Sequence, residues 1–132
     1  MLNIDCQNKI SAFFKEITEF AFIFGSADTK NFTEKSDVDI AVWLKKFPLS
    51  VTEITDIKYL AEKRVNFEYD IDLVILNSAN IIITNQIITK GKLIVNNNPG
   101  FTDNFIITRR SLYLDFKFFR ENLENNLKTN IL

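Results

Sequence analysis

The chain contains no histidine and a single cysteine, Cys6, in 132 residues. These absences exclude His-based catalytic triads, His-ligated zinc, CxxC redox pairs and structural zinc clusters. Any chemistry falls to Asp, Glu, Lys, Arg, Ser, Thr or Tyr. One cysteine supplies no disulfide framework and points to a reducing compartment. Cys6, with no local charge arrangement to activate it, reads as an inert buried residue. An excess of either charge is also missing. Sixteen Lys and Arg against 17 Asp and Glu leave a net charge of -1, so no overall field favours non-specific binding of a polyanion. No apolar run approaches the roughly 18 residues of a membrane helix. The opening MLNIDCQNKI lacks the basic and apolar regions of a signal peptide. A cytoplasmic protein is expected.

What is present is globular material: 46% hydrophobic and 25% charged residues, enough for one domain over residues 1–132 with a real core and no room for a second. Ile10, Phe13, Phe14 and Ile17 fall on one stripe and predict a first helix over 8–18. Phe20 to Phe24 is a short apolar run ending at Gly25-Ser26, which predicts a buried strand that turns sharply. Residues 27–36 are polar and read as a loop, with at most a turn of helix at its start. Asp37 to Trp43 alternates with period two and predicts a strand with Val38, Ile40 and Val42 on one face and Asp37, Asp39 and Ala41 on the other. Ser50 and Glu53 have capping-box spacing ahead of a helix over about 51–64. A strand follows over Tyr69–Ile75. Asn80–Lys90 has strand propensity in its isoleucines, but its length and the following Gly91 predict a helix. Lys92–Val95 is a last short strand. Phe105, Leu112, Phe116, Phe119, Leu123 and Leu127 then recur at helical steps and predict one long C-terminal helix. That stripe is expected to be mostly core, with Tyr113 and Phe118, which fall off it, as partner anchors if exposed. Arg109, Arg110, Lys117 and Arg120 are expected on a solvated face. The order α-β-loop-β-α-β-α-β-α is that of a single α/β domain, a small mixed sheet flanked by helices.

Three features converge on chemistry: Gly25-Ser26 after one strand, Asp37-Val38-Asp39 opening the next, and Asp72 on a third. Each is weak alone, since turns and Asp-x-Asp pairs are common. Strand alternation sets Asp37 and Asp39 on one face, their Cα atoms roughly 6.5 to 7 Å apart. Asp72 joins that face if its strand lies alongside. Unpaired carboxylates on a half-buried sheet repel one another and lose solvation, a cost that a divalent cation removes. Oxygen-only ligands favour Mg²⁺ or Mn²⁺, and Mg²⁺ takes one or two carboxylates plus substrate phosphates. The pattern therefore implies a nucleotide. Gly25, without a Cβ, lets a phosphate approach the backbone, and Ser26 can donate to it.

The spacing of Gly25-Ser26, ten residues, and Asp37-Val38-Asp39, with Ile71-Asp72-Leu73-Val74 as third element, resembles the minimal nucleotidyltransferases of the MNT type, on the DNA polymerase β-like fold. Leu76-Asn77-Ser78-Ala79, Gly91-Lys92-Leu93 and Tyr113-Leu114-Asp115-Phe116 are also similar to stretches of MNT antitoxins. The resemblance implies a helical HEPN toxin, a ribonuclease, as partner, silenced by transfer of AMP from ATP to a tyrosine near its active site. It also implies catalytic and metal-binding roles for Asp37, Asp39 and Asp72 with two Mg²⁺ ions, and a nucleotide held by Gly25, Ser26, Lys30 and Ser36. The family's loop usually carries an Arg and a Gly where this chain has Ala27-Asp28-Thr29-Lys30, which leaves Lys30 or Lys35 to supply positive charge. Asp70 shares the parity of Asp72 and is the rival third carboxylate; Asp72 is preferred because it directly precedes the apolar Leu73-Val74-Ile75 run, as in the family pattern. A binding-only antitoxin that occludes the toxin, and transfer to a small molecule, are the alternative functions.

Overall fold

The computed structural model describes residues 2–25 and 37–131; the loop predicted over 27–36 falls outside them. Eight elements follow one another: α1 (Ile4–Lys15), β1 (Thr18–Phe24), β2 (Val38–Leu44), α2 (Val51–Arg64), β3 (Ile71–Ile75), α3 (Ile81–Lys90), β4 (Lys92–Asn96) and α4 (Pro99–Ile131). The strands form one mixed sheet in the order β3-β2-β1-β4. The hairpin β1-β2 and the pair β1-β4 are antiparallel, while β2 and β3 are parallel, joined by α2 as a crossover.

Local chemistry sets most boundaries. Asn3 caps α1, accepting from the Asp5 amide at 2.7 Å, so the helix starts at Ile4, four residues before the bound predicted at 8. It also ends at Lys15, leaving Ile17 in the turn to β1. The capping box at α2 forms as expected, with Ser50 Oγ accepting from the Glu53 amide at 3.1 Å. Helix wins over strand at 81–90, where Asn80 accepts from the Ile83 amide at 2.9 Å. Gly91 stops that helix without a left-handed turn; a Cβ there would stand 2.5 Å from the Ile87 carbonyl oxygen.

The sheet carries a core on each face. Ala21, Ile23, Val38, Ile40, Val42 and Ile71 pack with Ile10 and Phe14 of α1 and Ala61 of α2. Phe20, Phe22 and Ala41 pack with Ile87 and Ile88 of α3 and Phe105 of α4 on the opposite face. The alternation in β2 is thus used on both sides. Cys6 is buried beside α2's following loop; burial first, then the Glu68 carboxylate, hold its thiol above the ordinary value, which keeps it unreactive.

The C-terminal stripe departs from expectation. Only its beginning is core: Phe105 is 5% exposed and packs tilted against Phe20 at 4.9 Å and edge-on against Trp43 at 5.4 Å. Leu112, Phe116, Phe119, Leu123 and Leu127 are exposed, Phe119 by 67%. The sheet is only four strands wide, so a 33-residue helix, about 50 Å long at 1.5 Å per residue, outruns the surface it could cover. Phe118 is likewise exposed and Tyr113 half-buried. Arg109 is not simply solvated: its guanidinium lies over the Phe105 ring at 4.9 Å. Among the described residues no helix is long and apolar enough to cross a membrane.

Candidate active site

The register of the sheet brings two of the candidate carboxylates, Asp39 and Asp72, into one row with the end of β1. Phe24, at the end of β1, pairs with Asp39 of β2, and Asp39 pairs in turn with Asp72 of β3. In a parallel pair, residues in register share a face with their strands about 4.8 Å apart. Asp39 and Asp72 are therefore neighbours on the face that also carries Ala41, the face covered further along by α3 and α4. Asp37 lies just before β2, exposed.

The register also separates Asp72 from its rival. β3 begins at Ile71, opposite Val38, so Asp70 precedes the strand. The Asp70 backbone carbonyl accepts from the Val38 amide at 2.8 Å and starts the ladder. Of the two, Asp72, the residue preferred from the sequence, is the one in register with Asp39.

Asp39 records the crowding electrostatically. Its carboxyl is held above the ordinary carboxylate range, by partial burial first, then by the charges of Asp72 and Asp37. Among the described residues no Lys or Arg forms an ion pair with any of the three aspartates. Lys58 of α2 senses the charges of Asp70 and Asp72 but donates to Glu62.

Gly25 is pressed against the same carboxylate. Its φ is +69°, in the left-handed region, and a Cβ built on it would stand 2.2 Å from Asp39 Oδ2 and 3.2 Å from Asp39 Cγ. The sequence assigns the missing Cβ to phosphate approach; within the described residues its space is taken by Asp39. Ser26, Lys30, Lys35 and Ser36 lie outside the described residues.

These residues offer a hard cation only part of its ligands. The donors are all carboxylate oxygens, and their mutual repulsion is what a cation relieves. Among the described residues, no three His, Cys, Asp or Glu side chains are grouped closely enough to hold an ion by themselves. The expected set of three metal-holding carboxylates is thus not gathered among the described residues, and a hard cation at this row would need phosphate oxygens and water to complete its shell.

A cavity of about 290 Å³ lies elsewhere, between Leu44, Leu49 and α2, at the end of β2 remote from Asp39. Another, of about 280 Å³, opens beside Gly25 and is lined by Phe24, Ile83, Gln86, Ile87 and Lys90. Nothing in the sequence marked Gln86 or Lys90, because only the packing of α3 against the end of β1 brings them here.

Comparison with known proteins agrees with this architecture. No curated protein sequence matches the chain. Among solved structures, a toxin-antitoxin bound to AMP-PNP superposes with a TM-score of 0.76 at 22% identity, covering 92% of this chain and 97% of its own. The toxin-antitoxin MntA-HepT gives 0.72 at 21% identity, covering 95% and 98%. A tri-AMPylated Shewanella oneidensis HEPN toxin in complex with MNT antitoxin gives 0.71 at 22%, covering 92% and 95%. Residues 8–100 match the family described as polymerase beta, nucleotidyltransferase. That stretch holds the whole sheet, Gly25 and all three aspartates: the chain belongs to the polymerase β nucleotidyltransferase family.

Proposed function

We propose that this chain is the antitoxin of a toxin-antitoxin pair and acts as an Mg²⁺-dependent adenylyltransferase, moving AMP from ATP to a tyrosine of a HEPN ribonuclease toxin. The observation that carries the reading is the Gly25-Asp39-Asp72 row, in which two carboxylates with no cationic partner among the described residues stand in register beside a glycine that a Cβ would drive into Asp39. The resemblance to complexes that hold AMP-PNP and an AMPylated toxin supports it.

Each residue then has a task. Asp37, Asp39 and Asp72 would hold Mg²⁺, two ions in full occupancy, which when bound offset the charge of the triphosphate and of the departing pyrophosphate. Gly25 and Ser26, with Lys30 and Ser36, hold the β and γ phosphates. Asp72, exposed at the edge of the row, accepts the proton of the tyrosine hydroxyl as that oxygen attacks the α-phosphorus. The new O–P bond forms in line with the bond that breaks to release pyrophosphate. Catalysis of this kind is positioning and electrostatics, which is how a chain without histidine performs it.

A protein acceptor is supported by α4. Leu112, Phe116, Phe119 and Leu123 present an apolar face that nothing within the described residues covers, and a helical toxin is the partner such a face suits. The same face favours a second reading, neutralisation by occlusion alone. The purified chain, its toxin, Mg²⁺ and ATP decide between them by mass spectrometry of the toxin. Added AMP that is lost with Asp37→Asn is the expected result; a toxin silenced with no added mass leaves occlusion, and full transfer by Asp37→Asn overturns the assignment of that residue.

A further inference from the structure

Helix α4 carries a second apolar stripe. Ile107, Leu114 and Phe118 are 66%, 61% and 67% exposed. Leu114 and Phe118 each follow a residue of the first stripe, Leu112 and Phe116, by two positions, which is about 200° round a helix. The two stripes therefore lie on opposite sides of α4, and whatever covers Leu112, Phe116, Phe119 and Leu123 leaves this one bare. A helix that is apolar on both sides is built to be covered on both.

The charges beside the stripe say what covers it. Asp103, Arg110, Glu121 and Lys128 are spaced by seven, eleven and seven residues, and each of those steps returns to within about 20° of the same side of a helix. All four are exposed, and none forms an ion pair among the described residues. Their signs run minus, plus, minus, plus along the chain. When α4 is laid antiparallel on α4 of a second copy, with Leu114 against Phe118 of that copy, Arg110 falls opposite its Glu121, Asp103 opposite its Lys128, and Ile107 over its Asn125. Two-fold symmetry makes each of these contacts twice. A parallel pair in register sets every one of the charges against its own like, and charges flanking an apolar seam are what fix the orientation of paired helices.

We propose that this stripe is a self-association surface, on which two copies of the chain pair antiparallel through α4, with Leu114 and Phe118 at the centre and the Arg110-Glu121 and Asp103-Lys128 ion pairs along one side. The proposal rests on α4 alone and not on the transferase reading. The overlap from Asp103 to Lys128 is about 38 Å long at 1.5 Å per residue, so the two sheets sit at opposite ends of the helix pair. The stripes led by Leu112 point away from the seam, and the pair offers two of them for toxin docking. Three apolar side chains from each copy are fewer than a standard interface uses, so the association is weak and depends on concentration.

The test is sedimentation equilibrium of the purified chain across the micromolar to millimolar range, which should show monomer and dimer in an equilibrium that salt weakens. Arg110→Glu sets like charges against each other twice in the pair and should weaken association about tenfold or more. Glu121→Arg should do the same. Both changes in one chain exchange the signs and should restore the parent constant to within about threefold. Leu114→Ser with Phe118→Ser should leave only monomer. All four side chains are exposed, so circular dichroism should report an unchanged fold in every variant, and toxin affinity, which uses the opposite side of α4, should stay at the parent value. A doubly charge-exchanged chain that associates no better than the single variants overturns the proposal. So does a parent chain that stays monomeric throughout, and a loss of toxin affinity in Arg110→Glu would then assign the stripe to the toxin instead. AMP transfer is read separately, from the mass of the toxin, and stands or falls on its own.

Discussion

Gly25→Ala is the sharpest single perturbation of the row, because it adds one carbon and removes nothing. That carbon would stand 2.2 Å from Asp39 Oδ2, where ordinary contact begins near 3.4 Å, so the carboxylate must retreat by about 1.2 Å. Asp39 Cγ, at 3.2 Å, is also tight, whereas Asp39 Cβ at 3.6 Å is not. Rotation of a short side chain can relieve the clash, so the fold survives. The left-handed φ of +69° adds about 1 kcal/mol for a residue with a Cβ. The expected loss of stability is therefore about 1 to 2 kcal/mol. Activity should suffer far more, since displacing a positioning group by about 1 Å costs on the order of 100-fold. Urea unfolding gives the first quantity, and the rate of AMP addition to the toxin, followed by mass, gives the second. Gly25→Ala should approach Asp39→Ala in rate while remaining folded. A variant that transfers AMP at the parent rate would show that the position of the Asp39 carboxylate does not matter to the chemistry, and the row would lose its meaning.

Asp39→Asn should trade in the opposite direction, abolishing transfer without destabilising the chain. A carboxyl whose folded pKa is raised exerts no penalty below the ordinary value of 3.8, and stability falls as pH rises from there through the folded value. In chelator, urea unfolding should thus show the variant at least as stable as the parent at pH 7, with a flatter dependence above pH 4; a clear loss at pH 7 would contradict this. Ser50→Ala removes the Oγ that accepts from the Glu53 amide while leaving the residue-50 amide free to donate to the Glu53 carboxylate, and should cost about 1 kcal/mol in the same assay; an unchanged midpoint would deny the cap its role. Phe116→Ser with Phe119→Ser, both on the exposed face of α4, should leave stability within about 0.5 kcal/mol and weaken toxin binding at least tenfold. Unchanged affinity, measured by calorimetry, would remove that face as the docking surface.

The α4 face and the crowded carboxylates are two forms of one physical situation. Among the described residues, apolar surface left uncovered and like charges left unpaired both cost free energy. Under the proposed function a partner helix would relieve the first and a cation with its phosphates the second, and each gain would be available only to the bound state.

The sequence by itself determined the elements and their order, because those rest on local rules. Period-two alternation placed Val38, Ile40 and Val42 on one face, the Ser50-Glu53 pair started α2 at Val51, and Asn80 with Gly91 bounded α3. It also gathered Gly25, Asp37, Asp39 and Asp72 as candidates, since hard oxygen donors at those spacings have few other uses. It misjudged the C-terminal stripe, because a helical period states that a face is apolar and not whether a four-stranded sheet is wide enough to bury it. Parity alone did not separate Asp72 from Asp70, and the preference for Asp72 rested on the apolar run that follows it; the register that sets Asp72 opposite Asp39 came only with the sheet. Nor could it find the nearness of Gly25 to the Asp39 carboxylate, or the cavity of Gln86 and Lys90 beside them. Those are contacts between segments far apart in the chain, set by register and by how α3 closes on β1, and no local pattern encodes them.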